Sequence, residues 1–127
     1  MADMEEIKQV PNGADIPLVM EIPTINGEPY DAKNGVWEVE LWVFSNKRVK
    51  VRHTAENEEP YESLGEVPAT ADVNDNGEIE LFVKSSKVPM GKGAIRGQMT
   101  IYAPNTDFID SVQVVKTLEC EIGVQIV

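Results

Sequence analysis

The feature that most constrains this chain is an apolar/polar alternation at a period of two, repeated along its length with almost no competing helical period. In Val36 to Phe44, Trp37, Val39, Leu41 and Val43 fall in one phase, and Glu38 and Glu40 in the other. Successive side chains take opposite faces only in an extended strand, so this segment predicts a strand with one buried face. Lys47 to His53 repeats the pattern, with Val49 and Val51 against Lys50 and Arg52, and Ser45-Asn46 between the two segments predicts a hairpin.

Further strands are expected at Glu78 to Lys84, with Ile79, Leu81 and Val83 inward, and at Ala94 to Ala103, with Ile95, Met99 and Ile101 on one face. The last expected strand, Thr117 to Val127, sets Leu118, Cys120, Ile122, Val124 and Ile126 against Glu119, Glu121 and Gln125. Ile16 to Ile22 reads as an early strand, and Pro17, which lacks an N–H, suits a strand start or a sheet edge better than a central position. Turn signals stand between these segments: Asn26-Gly27, Asp75-Asn76-Gly77, Gly91-Lys92-Gly93 and Pro104 to Asp107. Glu56 to Thr70, with Pro60, Gly65 and Pro68, is the longest irregular stretch. The expected fold is an all-β antiparallel sandwich, immunoglobulin-like or jelly-roll-like, of about seven or eight strands. It occupies residues 13–127, after a polar N-terminal arm at residues 1–12 that is suited to reaching a neighbouring subunit.

A chain of 127 residues with 42% hydrophobic content can bury a core as one domain without a disulfide or structural metal. With 22 acidic and 11 basic residues, its net charge of -11 repels a phosphate backbone, so no nucleic-acid partner is expected. The single cysteine, Cys120, precludes an intrachain disulfide and reads as a core residue. Asp3, Glu5, Glu6, Lys8 and Asp15 interrupt the first twenty residues, and no apolar run is long enough for a membrane helix. A cytoplasmic place of assembly and no membrane partner are therefore expected.

No cofactor and no catalytic activity are expected. His53 is the only histidine and reads as a surface residue at a strand end. Asp72-Val73-Asn74-Asp75-Asn76-Gly77 imitates the start of a calcium loop, but the twelfth position, where calcium wants a bidentate carboxylate, is Val83. A hairpin turn explains the segment, with a weak cation site at Asp72 and Asp75, or a metal-dependent enzyme built on them, as the competing readings.

Two features point outward. Trp42 and Phe44 share a phase with Glu38 and Glu40, and Phe82 shares one with Glu80 and Lys84. Large aromatics on a polar phase need either a covering segment or a partner. The second feature is Lys47, Arg48, Lys50 and Arg52, a basic strand in an acidic chain. It reads either as a solvated or edge strand protected by charge or as a dock for an acidic partner, including the Glu56 to Glu62 loop of another copy.

Several motifs together resemble small β-sandwich virion proteins of Bacteroides-infecting phages, including crAss-like phages. They are Asn12-Gly13-Ala14-Asp15-Ile16-Pro17-Leu18, Gly27-Glu28-Pro29-Tyr30-Asp31, Met90-Gly91-Lys92-Gly93, Pro104 to Asp110 and the closing Ile122-Gly123-Val124. The chain departs from that pattern at Asp110-Ser111, in place of Asp-Gly, and at Glu121-Ile122-Gly123, in place of a Thr-Gly pair. The resemblance implies a head-fibre, capsid-decoration or tail-appendage component, located in the virion and assembled in the host cytoplasm. Its partners would be other copies of itself, a trimer being one form, and capsid or tail proteins. The alternative expectation is a carbohydrate- or ligand-binding module in which Trp42 and nearby aromatics stack on a sugar.

Overall fold

The computed structural model describes residues 8–25, 27–44, 48–54, 61–109 and 112–127, with the side chains at 120 and 121 outside the description. The described residues form eleven strands and no helix. These are β1 (Lys8–Val10), β2 (Ile16–Met20), β3 (Thr24–Ile25), β4 (Glu28–Pro29), β5 (Val36–Trp42) and β6 (Val49–Thr54). They continue with β7 (Tyr61–Ser63), β8 (Ala69–Val73), β9 (Ile79–Val83), β10 (Gly93–Pro104) and β11 (Val112–Ile126). A six-stranded sheet, β1-β11-β10-β5-β6-β7, is joined by a three-stranded sheet, β2-β9-β8, and by the small β3-β4 pair.

The all-β class and sandwich-like arrangement are as the alternation predicts. The strand count is higher than expected because β1, β3, β4 and β7 are only two or three residues long, too short to show a period. The pairing is also not wholly antiparallel, since β1 runs parallel to β11 with Lys8, Gln9 and Val10 opposite Val124, Gln125 and Ile126. That pairing corrects the expected arm: of residues 1–12, Lys8–Val10 belong to the sheet, and residues 1–7 lie outside the described residues.

One core lies between the two larger sheets. Trp37, Val39 and Leu41 of β5, Val49 and Val51 of β6, and Met99 and Ile101 of β10 meet Ile16, Leu18, Ile79 and Leu81 of the smaller sheet. Burying each such side chain stabilises the fold by roughly 1.5–3 kcal/mol. Gly97 makes room in this layer: a Cβ there would come within 2.9 Å of both Leu41 and Ile122. The two sheets are tied at one side by residues 64–68. Leu64 N–H donates to the Lys50 carbonyl (2.7 Å) and Val67 N–H to the Arg48 carbonyl (3.0 Å), which carries the chain along β6 and into β8.

His53 departs from its expectation. It lies inside, only 2% exposed, because it continues the inward phase of Val49 and Val51. Its ring stacks on Trp37 (centroids 5.0 Å apart) and tilts against Tyr61 (4.8 Å). The Gly35 carbonyl lies 2.7 Å from its Nδ1. A carbonyl can only accept, so Nδ1 carries the proton. Trp37 Nε1–H donates to the Ala32 carbonyl at 2.7 Å, so this aromatic row pins the loop before β5. The site is a packed and largely satisfied structural cluster.

Candidate docking surfaces

The outer face of the six-stranded sheet carries the basic strand. The β5–β6 register sets Glu38 opposite Arg52 and Glu40 opposite Lys50. Arg52 binds Glu38 through both Nε (2.7 Å) and Nη2, and Lys50 Nζ approaches the same carboxylate at 3.5 Å. Arg48 Nη1 donates to Glu40 Oε1 at 2.6 Å and lays its guanidinium over the Trp42 ring, 5.0 Å from the centroid. Arg52 similarly covers Tyr102 at 5.9 Å. The cations thus meet carboxylates of their own chain, and one face of Trp42 is already occupied. The edge reading does not hold, because β6 lies between β5 and β7; these contacts make it a solvated strand whose cations are paired within the chain, in place of a bare dock for an acidic partner. Lys47 and residues 55–60 of the acidic loop lie outside the described residues.

The three aromatic residues read as outward-facing are divided by the topology. Trp42 lies on the outer face of the larger sheet, half-buried. Phe44 follows β5 at a positive φ of 51°, which breaks the alternation and lays its ring beside Gly93 while leaving it 74% exposed. Phe82 lies on β9 in the other sheet, whose outward phase faces away from the shared core.

Around Phe82 the outer face of the small sheet is built in rows. Pro17, Phe82 and Thr70 lie side by side, with Val19, Glu80 and Asp72 as the next outward row. Lys84 N–H bonds the Pro68 carbonyl (2.8 Å), and Lys84 Nζ bonds Asp15 Oδ2 (2.6 Å), closing the other side. Ser86 N–H also donates to Asp15 (3.1 Å). Hydrogen bonds from Lys84 and Ser86 hold the Asp15 carboxyl at about 2, below its ordinary 3.8. Between Asp15–Lys84 and Thr70 runs an open groove of about 560 Å³ with a predominantly apolar lining, floored by Pro17 and Phe82 and bordered by Pro68 and Ser63. Phe82 is 47% exposed and Val19 58%.

A third surface escaped the sequence pattern. The β10–β11 hairpin outruns its neighbour: β10 pairs with β5 only as far as Tyr102 opposite Val36, whereas Ala103 and Pro104 pair only with β11. At its tip Asn105 organises the turn, accepting Asp107 N–H on Oδ1 (3.0 Å) and donating to Gln113 Oε1 (3.0 Å), while its carbonyl accepts Phe108 N–H (3.3 Å). Phe108, Ile109, Val114 and Val115 are all exposed, Ile109 completely so. The register shift between Ile101–Lys116 and Tyr102–Val114 leaves Val115 without an opposite residue, a bulge that reverses the phase of the strand beyond it.

The segment resembling a calcium loop is a hairpin turn. Asn74 Oδ1 accepts the N–H groups of Asn76 (3.0 Å) and Glu78 (2.9 Å), and Gly77 takes φ +80°. Asp72 Oδ1 accepts Val73 N–H at 2.9 Å. The expected twelfth ligand position, Val83, is buried in the core. Among the described residues no group of three or more His, Cys, Asp or Glu side chains is placed to hold a metal ion. The backbone of Cys120 pairs with Gly97 within the β10–β11 ladder, and its side chain lies outside the description.

Comparison with protein-family models, curated proteins and solved structures finds no match.

Proposed function

We propose that this protein is a non-enzymatic assembly component, a β-sandwich that works by docking to copies of itself and to other structural proteins. The observation that carries this reading is the distribution of exposed apolar side chains. Phe108, Ile109, Val114 and Val115 gather at the hairpin tip, and Val19 and Phe82 stand on the outer face of the small sheet, with Phe44, Leu64 and Val127 elsewhere. Concentrated apolar exposure of this kind marks interaction surfaces, whereas scattered single residues do not. The polar clusters are occupied in fold-building: His53 with Gly35 and Trp37, Asn74 with its own turn, and the cations of β6 with Glu38 and Glu40. The resemblance to phage virion β-sandwich proteins makes a capsid-decoration, head-fibre or tail-appendage role the specific form of the proposal.

Native mass measurement of the full chain across a range of concentrations tests it. Species larger than one copy are expected to grow with concentration. A single-copy species throughout, in the presence of isolated capsid or tail proteins as well, would refute the reading.

A further inference from the structure

The hairpin tip and the Phe82 groove lie at opposite ends of the molecule. The tip projects beyond Val36, at the end where β5 begins. The groove lies at the other end, because residues 64–67 descend along β6 to Arg48 before β8 starts at Ala69, opposite Val83. One end therefore carries the exposed apolar Phe108 and Ile109 and the other an open apolar recess of about 560 Å³. Resting on the assembly reading above, we propose that the Phe108–Ile109 tip of one copy seats in the Phe82 groove of the next, head to tail.

Charge runs the same way. Loops at the tip's end carry Asp31, Asp75, Glu78 and Asp107 against Lys33, whereas those at the groove's end carry Lys84, Lys87 and Lys92 against Asp15 and Glu66. A chain of net charge -11 repels its copies in most orientations. Head-to-tail contact brings the acidic end of one copy to the lysine-bearing end of the next, which is the orientation the field favours. A surface of one kind meeting a different surface of the same molecule gives a heterologous contact, which propagates into a ring or an open filament. The groove's apolar floor suits Phe108 and Ile109, and Asp107 beside them comes toward Lys84, the rim lysine that also holds Asp15.

Two variants of the full chain separate this arrangement from its rivals. Phe108→Asp/Ile109→Asp removes the projection while leaving the groove, and Thr70→Arg, at an exposed position beside Phe82, fills the groove while leaving the tip. Sedimentation velocity of the wild-type chain should show assemblies beyond two copies. Each variant alone should weaken self-association by at least about tenfold. Mixed in equal amounts, the variants should form a one-to-one dimer and stop there, since only one live tip and one live groove remain. Phe82→Ser repeats the groove arm if Thr70→Arg does not fold. Wild-type assembly that persists in the tip variant overturns the proposal, as does a mixture that stays single-copy. Continued self-association of the groove variant would instead identify a tip-to-tip contact. In each of these cases assembly of the wild-type chain would still stand, so loss of this geometry is distinguishable from loss of the proposed function.

Discussion

The two ion pairs on the outer face of the larger sheet form a matched experiment in burial. Glu38 and Glu40 lie two residues apart on β5, each facing an arginine of the β6 region, but their side chains are 10% and 28% exposed. Glu38 holds Arg52 by two nitrogens with Lys50 at 3.5 Å, whereas Glu40 holds Arg48 by a single 2.6 Å contact. Hydrogen bonds to charged groups contribute about 1.5–3 kcal/mol, and pairs open to water generally less than about 1 kcal/mol. The arginines and lysine are about two-fifths or more exposed, so they rehydrate when their partner is lost and the penalty stays below that of a fully buried pair. Glu38→Gln should therefore destabilise the fold by roughly 1.5–2.5 kcal/mol, and Glu40→Gln by under about 1 kcal/mol. Urea denaturation of each variant, and double-mutant cycles with Arg52→Gln and Arg48→Gln, measure the two couplings. The Glu38–Arg52 coupling should also survive added salt better, being shielded from counterions. Equal couplings, or a larger one for the exposed pair, would refute the idea that burial sets the difference.

Three other perturbations have definite outcomes. A Cβ at Gly65 would collide with backbone atoms of β6, lying 2.6 Å from Lys50 N and closer still to the Arg48 carbonyl, so Gly65→Ala should cost about 2 kcal/mol or more in urea melts. Among the described residues the buried Ser85 hydroxyl has no hydrogen-bond partner, so Ser85→Ala should leave stability unchanged or raise it by up to about 1 kcal/mol, seen as a higher denaturation midpoint. Asp15 titrates near 2 in the fold against its ordinary 3.8, so its ionised form favours the folded state. That contribution is complete above pH 4 or so and disappears as pH falls toward 2. The stability difference between wild type and Asp15→Asn should shrink across that window, and carboxyl NMR titration should find Asp15 among the most acidic groups.

Much of the architecture is legible in the chain because one phase of each long strand is continuously apolar. Ile79, Leu81 and Val83, or Ile95, Met99 and Ile101, can occupy only a buried face. His53 was legible too, since it continues the phase of Val49 and Val51; polarity hid it, although a satisfied imidazole stacked on Trp37 is stable inside. Strand order is a different kind of information. That Phe82 belongs to another sheet from Trp42 depends on long-range pairing that no local pattern encodes, whereas Glu38 meets Arg52 within the expected β5–β6 hairpin. The exposed tip was obscured for a third reason: the bulge at Val115 reverses the alternation, so Val114 and Val115 look like strand core but face solvent.

The parallel pairing of Lys8–Val10 with Val124–Ile126 has a consequence for how this molecule comes into being. Val127 N–H donates to the Val10 carbonyl (2.9 Å), and Asn12 N–H donates to the Val127 carbonyl (3.2 Å), so the closing contacts join segments from far ends of the sequence. During synthesis β1 must wait until β11 has left the ribosome before its ladder can form. Until then the inner face of β10 lacks its neighbour on one side, and Val10 and Ile95 remain without Val124 and Ile126. Such late, non-local closure slows folding and prolongs the interval in which an unpaired strand edge is open to other chains. Under the assembly proposed above, β11 has to close before copies meet, because its open edge would compete with the intended contact.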